Sequence, residues 1–289
     1  MKNYNTVGLD IGNKNGKSNT GIIFDSRIST INSFNESEKF IIDGTTYYLG
    51  EGEYDTTFNK IDKKNYINLL YILLSKSSIN TANYVGLGLP LCQWQNFKDP
   101  LKEKVMKNDF KIVNGKPFQI VECEVFPEGV ASLDDEWEGV VIDIGGLTTD
   151  CALVYTENNE RHITEPISIP RGTINLFEDF ITRLNNKFGL DLQLRDAERK
   201  LKSGLSIGGQ IQDIGFALQI FDDFYENLLS KLNTHYSLKT ENISMTGGGS
   251  KLFYERLKKG IGNNVSLQDD YLFANANAYY DLMCSMYEE

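Results

Sequence analysis

The chain has 289 residues, with 40 acidic against 29 basic side chains and a formal net charge of −11. That length predicts about two domains and ample material for a buried core. The acidity argues against a direct grip on nucleic acid, which needs clustered Lys and Arg to displace counterions, but leaves room for a basic adaptor protein.

Residues 1–137 read as a first α/β lobe. Strands are predicted over 6–10, 20–24, 38–42 and 45–49, the last two joined at Asp43-Gly44 by a two-residue hairpin turn. Residues 62–76 carry Ile67, Leu70, Tyr71 and Leu74 at helical spacing. The apolar run over 83–89 is short enough for a buried strand. Asp99 followed by Pro100 is a helix start signal, for a helix ending near 107. Strands over 110–113 and 118–125 flank Asn114-Gly115, and Asp134-Asp135-Glu136 reads as an exposed helix end.

The second lobe, 138–289, opens with strands over 139–143, 151–155 and 161–169. Ile174, Phe177, Ile181, Leu184 and Phe188 mark an amphipathic helix over 172–188. A short helix follows over 196–202, then a long one over 211–236, a strand over 242–246, and closing helices over 251–259 and 273–286. The internal repeat is the lobe duplication itself, with no solenoid period.

Three glycine-centred turns punctuate this order. The first is Asp10-Ile11-Gly12-Asn13-Lys14-Asn15-Gly16-Lys17, the second Asp143-Ile144-Gly145-Gly146-Leu147-Thr148-Thr149-Asp150, and the third Thr246-Gly247-Gly248-Gly249-Ser250. The first two repeat a theme of strand, aspartate, glycine, polar turn and strand, which suggests a duplicated unit closing on one ligand. Glycine turns bare backbone N–H groups that bind phosphate. Asn13, Thr148 and Thr149 add amide or hydroxyl contacts, and Lys17 is a candidate charge partner for a β-phosphate. Asp10 and Asp143 sit where their strands end, and carboxylates there suit Mg²⁺, held through its water shell. Each turn taken alone is also what a tight hairpin requires.

Taken together, the three turns resemble the phosphate-1, phosphate-2 and adenosine motifs of the actin, Hsp70 and sugar-kinase superfamily. Val85-Gly86-Leu87-Gly88-Leu89-Pro90-Leu91 resembles the strand and Leu-Pro turn of ParM-type plasmid-segregation actins. Val125-Phe126-Pro127-Glu128-Gly129-Val130-Ala131 resembles their first interdomain helix, and Phe273-Ala274-Asn275-Ala276-Asn277-Ala278 the second, with Ala278 where that family usually has glycine. The resemblance implies a duplicated, ribonuclease H-like, two-lobed α/β ATPase fold, whose helix over 273–286 packs back on the first lobe. The short span from Asp143 to Gly247 implies a reduced fourth subdomain, as in AlfA.

The resemblance further implies ATP or GTP with Mg²⁺ between the lobes. Gly12, Asn13, Lys17, Gly145, Gly146, Leu147 and Thr148 would bind the phosphates, and Gly247, Gly248 and Gly249 the nucleoside. Glu128 would open the interdomain helix, with Pro127 at its first position, and engage the attacking water; a glutamate favoured by a helix dipole is the alternative. Asp143 would hold the metal's waters or assist the same water, or else cap its own turn. Asp150 reads as structural. Glu198 and Lys202, four apart on one helix face, would contact ribose and base, or form an ordinary surface ion pair. Arg171 follows a strand and reads either as a cleft residue or as part of a loop. Trp94 and Trp137 read as packing residues.

The implied protein is cytoplasmic, assembles head-to-tail with itself, and reaches plasmid DNA through a DNA-binding adaptor. The alternative is a small-molecule kinase of the same fold, which needs an acceptor-loop base where this chain has the apolar Gly88-Leu89-Pro90-Leu91-Cys92. A third reading, a non-polymerising scaffold, usually brings a membrane helix or partner domain. The start Met1-Lys2-Asn3-Tyr4-Asn5 has no signal-peptide pattern, and no apolar run reaches membrane-spanning length. Cys92, Cys123, Cys151 and Cys284 are scattered and predict reduced, buried small residues. The isolated His162 and His235 argue against a zinc site.

Overall fold

A computed structural model describes residues 4–32, 37–158 and 160–287. Residues 1–3, on which the expectation of a leaderless start partly rests, lie outside it. The first part of the chain runs β1 (Tyr4–Ile11), β2 (Asn15–Ser18), β3 (Ile23–Asp25), β4 (Ile28–Ser29), β5 (Lys39–Ile42), β6 (Thr45–Leu49), α1 (Tyr66–Ser77), β7 (Ala82–Leu89), α2 (Leu91–Met106), β8 (Phe110–Val113) and β9 (Lys116–Pro127). The second part runs β10 (Gly139–Ile144), β11 (Thr149–Glu157), β12 (Glu160–Ile169), α3 (Thr173–Phe188), α4 (Ala197–Ser203), β13 (Leu205–Ile207), β14 (Gln210–Gln212), α5 (Gly215–His235), β15 (Ile243–Thr246), α6 (Ser250–Ile261), β16 (Val265–Leu267) and α7 (Ala274–Tyr287).

Two main sheets result. One orders its strands β3-β2-β1-β7-β9-β8-β5-β6-β4, the other β12-β11-β10-β15-β16. Each is built alike at its centre. A hairpin (β1–β2; β10–β11) lies beside a parallel neighbour (β7; β15). Central strands covered on both faces read as continuous apolar runs, as in Val140-Val141-Ile142, all fully buried. Separate cores form on the two sheets, and a smaller cluster of Leu91, Val130, Leu133, Val141, Ala152 and Val154 joins them. Among the described residues no helix is long and apolar enough to cross a membrane.

The C-terminal α7 packs on β1 and β7. Three strand glycines allow this. A Cβ on Gly86 would meet the Tyr279 carbonyl oxygen at 2.6 Å, and one on Gly8 or Gly88 would run into Ala276 or Tyr279. The close approach is therefore set by glycines on the sheet, while Ala278 is only half-buried.

Several expectations are corrected. Helix α2 starts at Leu91 directly after Pro90, and Pro100 lies inside it on the exposed side rather than opening a helix. The strand expected over 20–24 is replaced by β2 and β3, so Lys17 is a strand residue. No interdomain helix starts at Pro127. β9 ends there, Gly129 takes φ 75°, and only the 3₁₀ turn Val130–Ser132 follows; a left-handed residue two places after Pro127 does not let a helix start there. Residues 134–136 form an exposed turn, not a helix end. Between α3 and α5 lie a 3₁₀ turn (Leu194–Asp196), α4 and the β13–β14 hairpin, which turns at Gly208-Gly209 and was not expected. This part of the second lobe is small, as expected of a reduced fourth subdomain. Cys123 and Cys151 are buried, but Cys92 is exposed and Cys284 half-buried.

Candidate functional site

The two hairpins set the site. In β1–β2, Asp10 pairs with Lys17 in register, and the Gly12 N–H donates to the Asn15 carbonyl at 3.0 Å. In β10–β11, Asp143 pairs with Asp150, and the Gly145 N–H donates to the Thr148 carbonyl at 2.8 Å. Each hairpin thus presents one aspartate at the end of its first strand. The turns approach each other so closely that a Cβ on Gly146 would lie 3.0 Å from the Lys14 nitrogen. β15 aligns Thr246 with Asp143 and delivers the third turn. Gly247 takes φ 84°, and a Cβ there would run into the Asp143 carboxylate.

Between these turns lies a cleft of about 310 Å³. It is lined by Asp10, Gly12, Asn13, Lys17, Glu128, Asp143, Gly145, Gly146, Thr148, Glu198, Gly247 and Gly248, all expected from sequence. Three other expected residues are placed differently. Leu147 is 7% exposed and does not line the cleft. The Gly249 N–H is occupied, donating to the Ile144 carbonyl at 2.8 Å. Lys202 lines a neighbouring apolar cavity of about 300 Å³ with Phe177, Leu201 and Leu252. Glu198 pairs with Lys14 across the cleft rather than with Lys202. Arg171 pairs with Asp179 and stays outside the cleft. The N–H groups of Gly12 and Gly145 are spent on closing their own turns, and those of Gly247 and Gly249 on the Tyr271 and Ile144 carbonyls. Their glycines serve close approach more than donation.

Trp94 packs against the first core and donates from Nε1 to the Val125 carbonyl at 2.8 Å, and Trp137 packs at the junction cluster.

The charges are unevenly compensated. The Lys17 ammonium lies 2.7 Å from Asp10 Oδ2, and Lys60 lies 3.9 Å from Oδ1. Burial pushes the Asp10 carboxyl up, but the two ammonium groups outweigh it and hold it below the usual range. Asp143 accepts a 2.9 Å hydrogen bond from the Asn275 amide, and Asn275 in turn accepts from the Gly129 N–H at 2.8 Å. Burial raises the Asp143 carboxyl, and that amide offsets it only in part. Glu128 is pushed up to about 7 by burial, against the pull of Lys60 and with the push of Asp10 and Asp143. Asp150 is pushed up to about 7 by burial.

Sequence patterns miss Lys60, Lys14, Thr173 and Asn275, which all line the cleft. Asn275 left a trace, a polar residue among the alanines of the last helix. Lys60 left none. Asn13 Oδ1 is buried with no partner among the described residues. No group of three or more His, Cys, Asp or Glu among the described residues is placed to hold a metal directly.

The paired hairpins, the third glycine turn and the cleft between two sheets define a two-lobed actin-like protein. Residues 8–130 match the family of actin like proteins N terminal domain, and residues 141–259 match the archaeal actin homologue MreB-like C-terminal family. The chain belongs to the actin-like proteins. No curated protein sequence matches it. Among solved structures, the archaeal actin homologue Ta0583 is 20% identical with a TM-score of 0.78, covering 96% of this chain and 98% of its own. ParM in a 15-stranded filament from Clostridium botulinum is 20% identical with a TM-score of 0.75, covering 97% and 99%. Alp12, also solved as a filament, is 18% identical with a TM-score of 0.67, covering 99% and 100%. At these identities the likeness shows the fold.

Proposed function

We propose that the chain is a ParM-type filament protein of the cytoplasm that hydrolyses ATP or GTP between its lobes, taken as residues 1–137 and 138–289. Through a DNA-binding adaptor, its filaments segregate plasmid DNA. The observation that carries this reading is the convergence of Asp10, Lys17, Glu128 and Asp143 on one cleft, between glycine turns and beside an apolar cavity.

Phosphates fit against the turns of residues 12–14 and 145–148, with Lys17 as counter-charge. The apolar cavity suits a purine base, with Glu198 and Lys202 at its edge. Asp10, Asp143 and the unpartnered Oδ1 of Asn13 are hard oxygen donors, which suits Mg²⁺ held through water. When bound, the metal would neutralise phosphate charge. Glu128 orients the attacking water or takes its proton, and Asp143 assists. Ta0583 has been solved with ADP and Bacillus thuringiensis ParM with ATP, which supports a nucleotide here. The C. botulinum ParM and Alp12 filaments support self-assembly.

A monomer that closes on nucleotide presents different faces in its open and closed forms. Heterologous contacts need not close into a ring and so propagate. Nucleotide that favours the closed form then favours the polymer. Light scattering and pelleting at micromolar protein test this. Sedimenting polymer is expected with Mg²⁺ and ATP, GTP or a slowly hydrolysed analogue. If all of these leave the protein monomeric across a range of salt, the filament reading fails and phosphoryl transfer to a small acceptor takes its place.

A further inference from the structure

Lys60 has the lowest exposure of the cleft's charged residues, at 2%. It opens a 3₁₀ turn (Lys60–Asp62) capped by Asn59, whose Oδ1 accepts from the Ile61 N–H at 3.1 Å. Helix α2 grips the chain on both sides of it. Gln93 Oε1 accepts from the Lys60 N–H at 3.1 Å, and Gln93 Nε2 donates to the Phe58 carbonyl at 2.7 Å. The ammonium group donates to Glu128 Oε1 and, at 3.3 Å, to the Gly88 carbonyl. An ammonium has three donors, and among the described residues these are its two acceptors. Asp10 Oδ1 stands 3.9 Å away, too far for a hydrogen bond.

Glu128 depends on this lysine. It sits on a turn, not a helix, and its backbone is fixed by its own N–H to the Leu89 carbonyl at 2.9 Å. Among the described residues, the one side chain that holds its carboxylate is Lys60. Two further carboxylates, Asp10 and Asp143, line the same cleft. Without the ammonium, Glu128 would share the cleft with two further carboxylates, and Lys17 there is paired with Asp10. A buried ammonium is costly to desolvate and is kept only where its partners compensate it.

We propose that Lys60 is a positioning residue for hydrolysis, whose buried ammonium holds the Glu128 carboxylate in the orientation that engages the attacking water. The inference rests on the reading of the cleft as a site of nucleotide hydrolysis. Gln93 in α2 is its support, so the orientation of Glu128 is tied to the packing of α2 against β9.

The test is single-turnover hydrolysis at saturating Mg²⁺-ATP, with binding of a slowly hydrolysed analogue measured alongside. In Lys60→Ala, hydrolysis should fall by about 100-fold, in the range expected of a general-base contribution, while analogue affinity changes by less than about threefold. Propylammonium ions, which replace the missing stem and charge, should restore part of the rate. Lys60→Ala added to Glu128→Gln should slow the reaction no further than Glu128→Gln alone. Lys60→Met, which keeps the stem without the charge, should match Lys60→Ala and show no rescue. Hydrolysis by Lys60→Ala within twofold of wild type, or losses that multiply in the double variant, would overturn the proposal. If both variants fail to fold, Lys60 is a structural member of the core and the proposal also falls. A wild-type chain with no hydrolysis overturns the functional reading itself, whereas an active wild type with an equally active Lys60→Ala overturns this inference alone.

Discussion

The two aspartates of the paired hairpins occupy equivalent places but differ in what surrounds them. Asp10 faces Lys17 and Lys60 and is held ionised. Asp143 has an amide as its hydrogen-bonding partner, and burial raises its carboxyl. One aspartate is therefore compensated by Lys17 of its own hairpin and by Lys60, while the other is left short of positive charge. That shortfall suits an incoming cation. Repeating a turn fixes where a carboxylate stands; the neighbouring elements decide what it can do.

Glu128 shares the cleft with the two aspartates, and its removal should have the largest effect. Glu128→Gln should slow hydrolysis by about 10²- to 10⁴-fold, with nucleotide affinity changed only a few-fold. A phosphate-release assay beside analogue binding separates the two, and equal rates in variant and wild type would remove Glu128 from the reaction.

Next come the aspartates themselves, in opposite directions. Asp10→Asn leaves the largely buried Lys17 ammonium without its partner, weakens the charge compensation of Lys60, and should destabilise the nucleotide-free protein by about 3–5 kcal/mol. Asp143→Asn removes a carboxylate that burial disfavours, so stability should stay level or rise. Chemical denaturation of both variants at pH 8 checks this, and a matching loss in the two would erase the asymmetry.

A smaller effect concerns pH. Glu128 has its carboxyl raised from 4.5 to about 7, and Asp150 from 3.8 to about 7. For an acid raised on folding, the unfolded chain loses its proton first. The contribution to stability is therefore present below the unfolded values and lost as pH rises through about 7. Melting temperatures of the nucleotide-free protein should fall between pH 5 and 7.5, and Glu128→Gln should flatten part of that slope. Hydrolysis should rise over the same interval as the base form of Glu128 appears.

The smallest effect distinguishes Glu198 from Lys202. Glu198 pairs with Lys14 across the cleft, and Lys202 lines the apolar cavity. Glu198→Gln should weaken nucleotide binding more than Lys202→Met does, and neither should move stability by more than about 0.5 kcal/mol. Equal effects on affinity would restore the simple i,i+4 reading.

Much of the fold is legible in sequence because its centre is repetitive. The Asp-x-Gly hairpins fall at strand ends, and α3 announces itself through Ile174, Phe177, Ile181 and Leu184. Other features hide for physical reasons. Pro100 imitates a helix start because its local signal is the same inside α2. Gly129 reads as part of a helix, yet its left-handed backbone keeps one from forming there. The strands of β13–β14 are three residues each, too short for periodicity to register. Lys60 is held at the cleft in part by Gln93, 33 residues away. No local pattern encodes that contact, so the residue that grips Glu128 was invisible until the chain was folded.

The central claim is that Mg²⁺-nucleotide sits between the two hairpins, with Asp143 on the cation's side. Calorimetric titration of ATP into wild type and Asp143→Asn, each with Mg²⁺ and with EDTA, tests it most directly. The account predicts at least tenfold tighter binding with Mg²⁺ in wild type, a difference of about 1.4 kcal/mol, and little or no Mg²⁺ dependence in Asp143→Asn. Wild-type affinity indifferent to Mg²⁺, or an Asp143→Asn variant with the wild-type dependence, would contradict it.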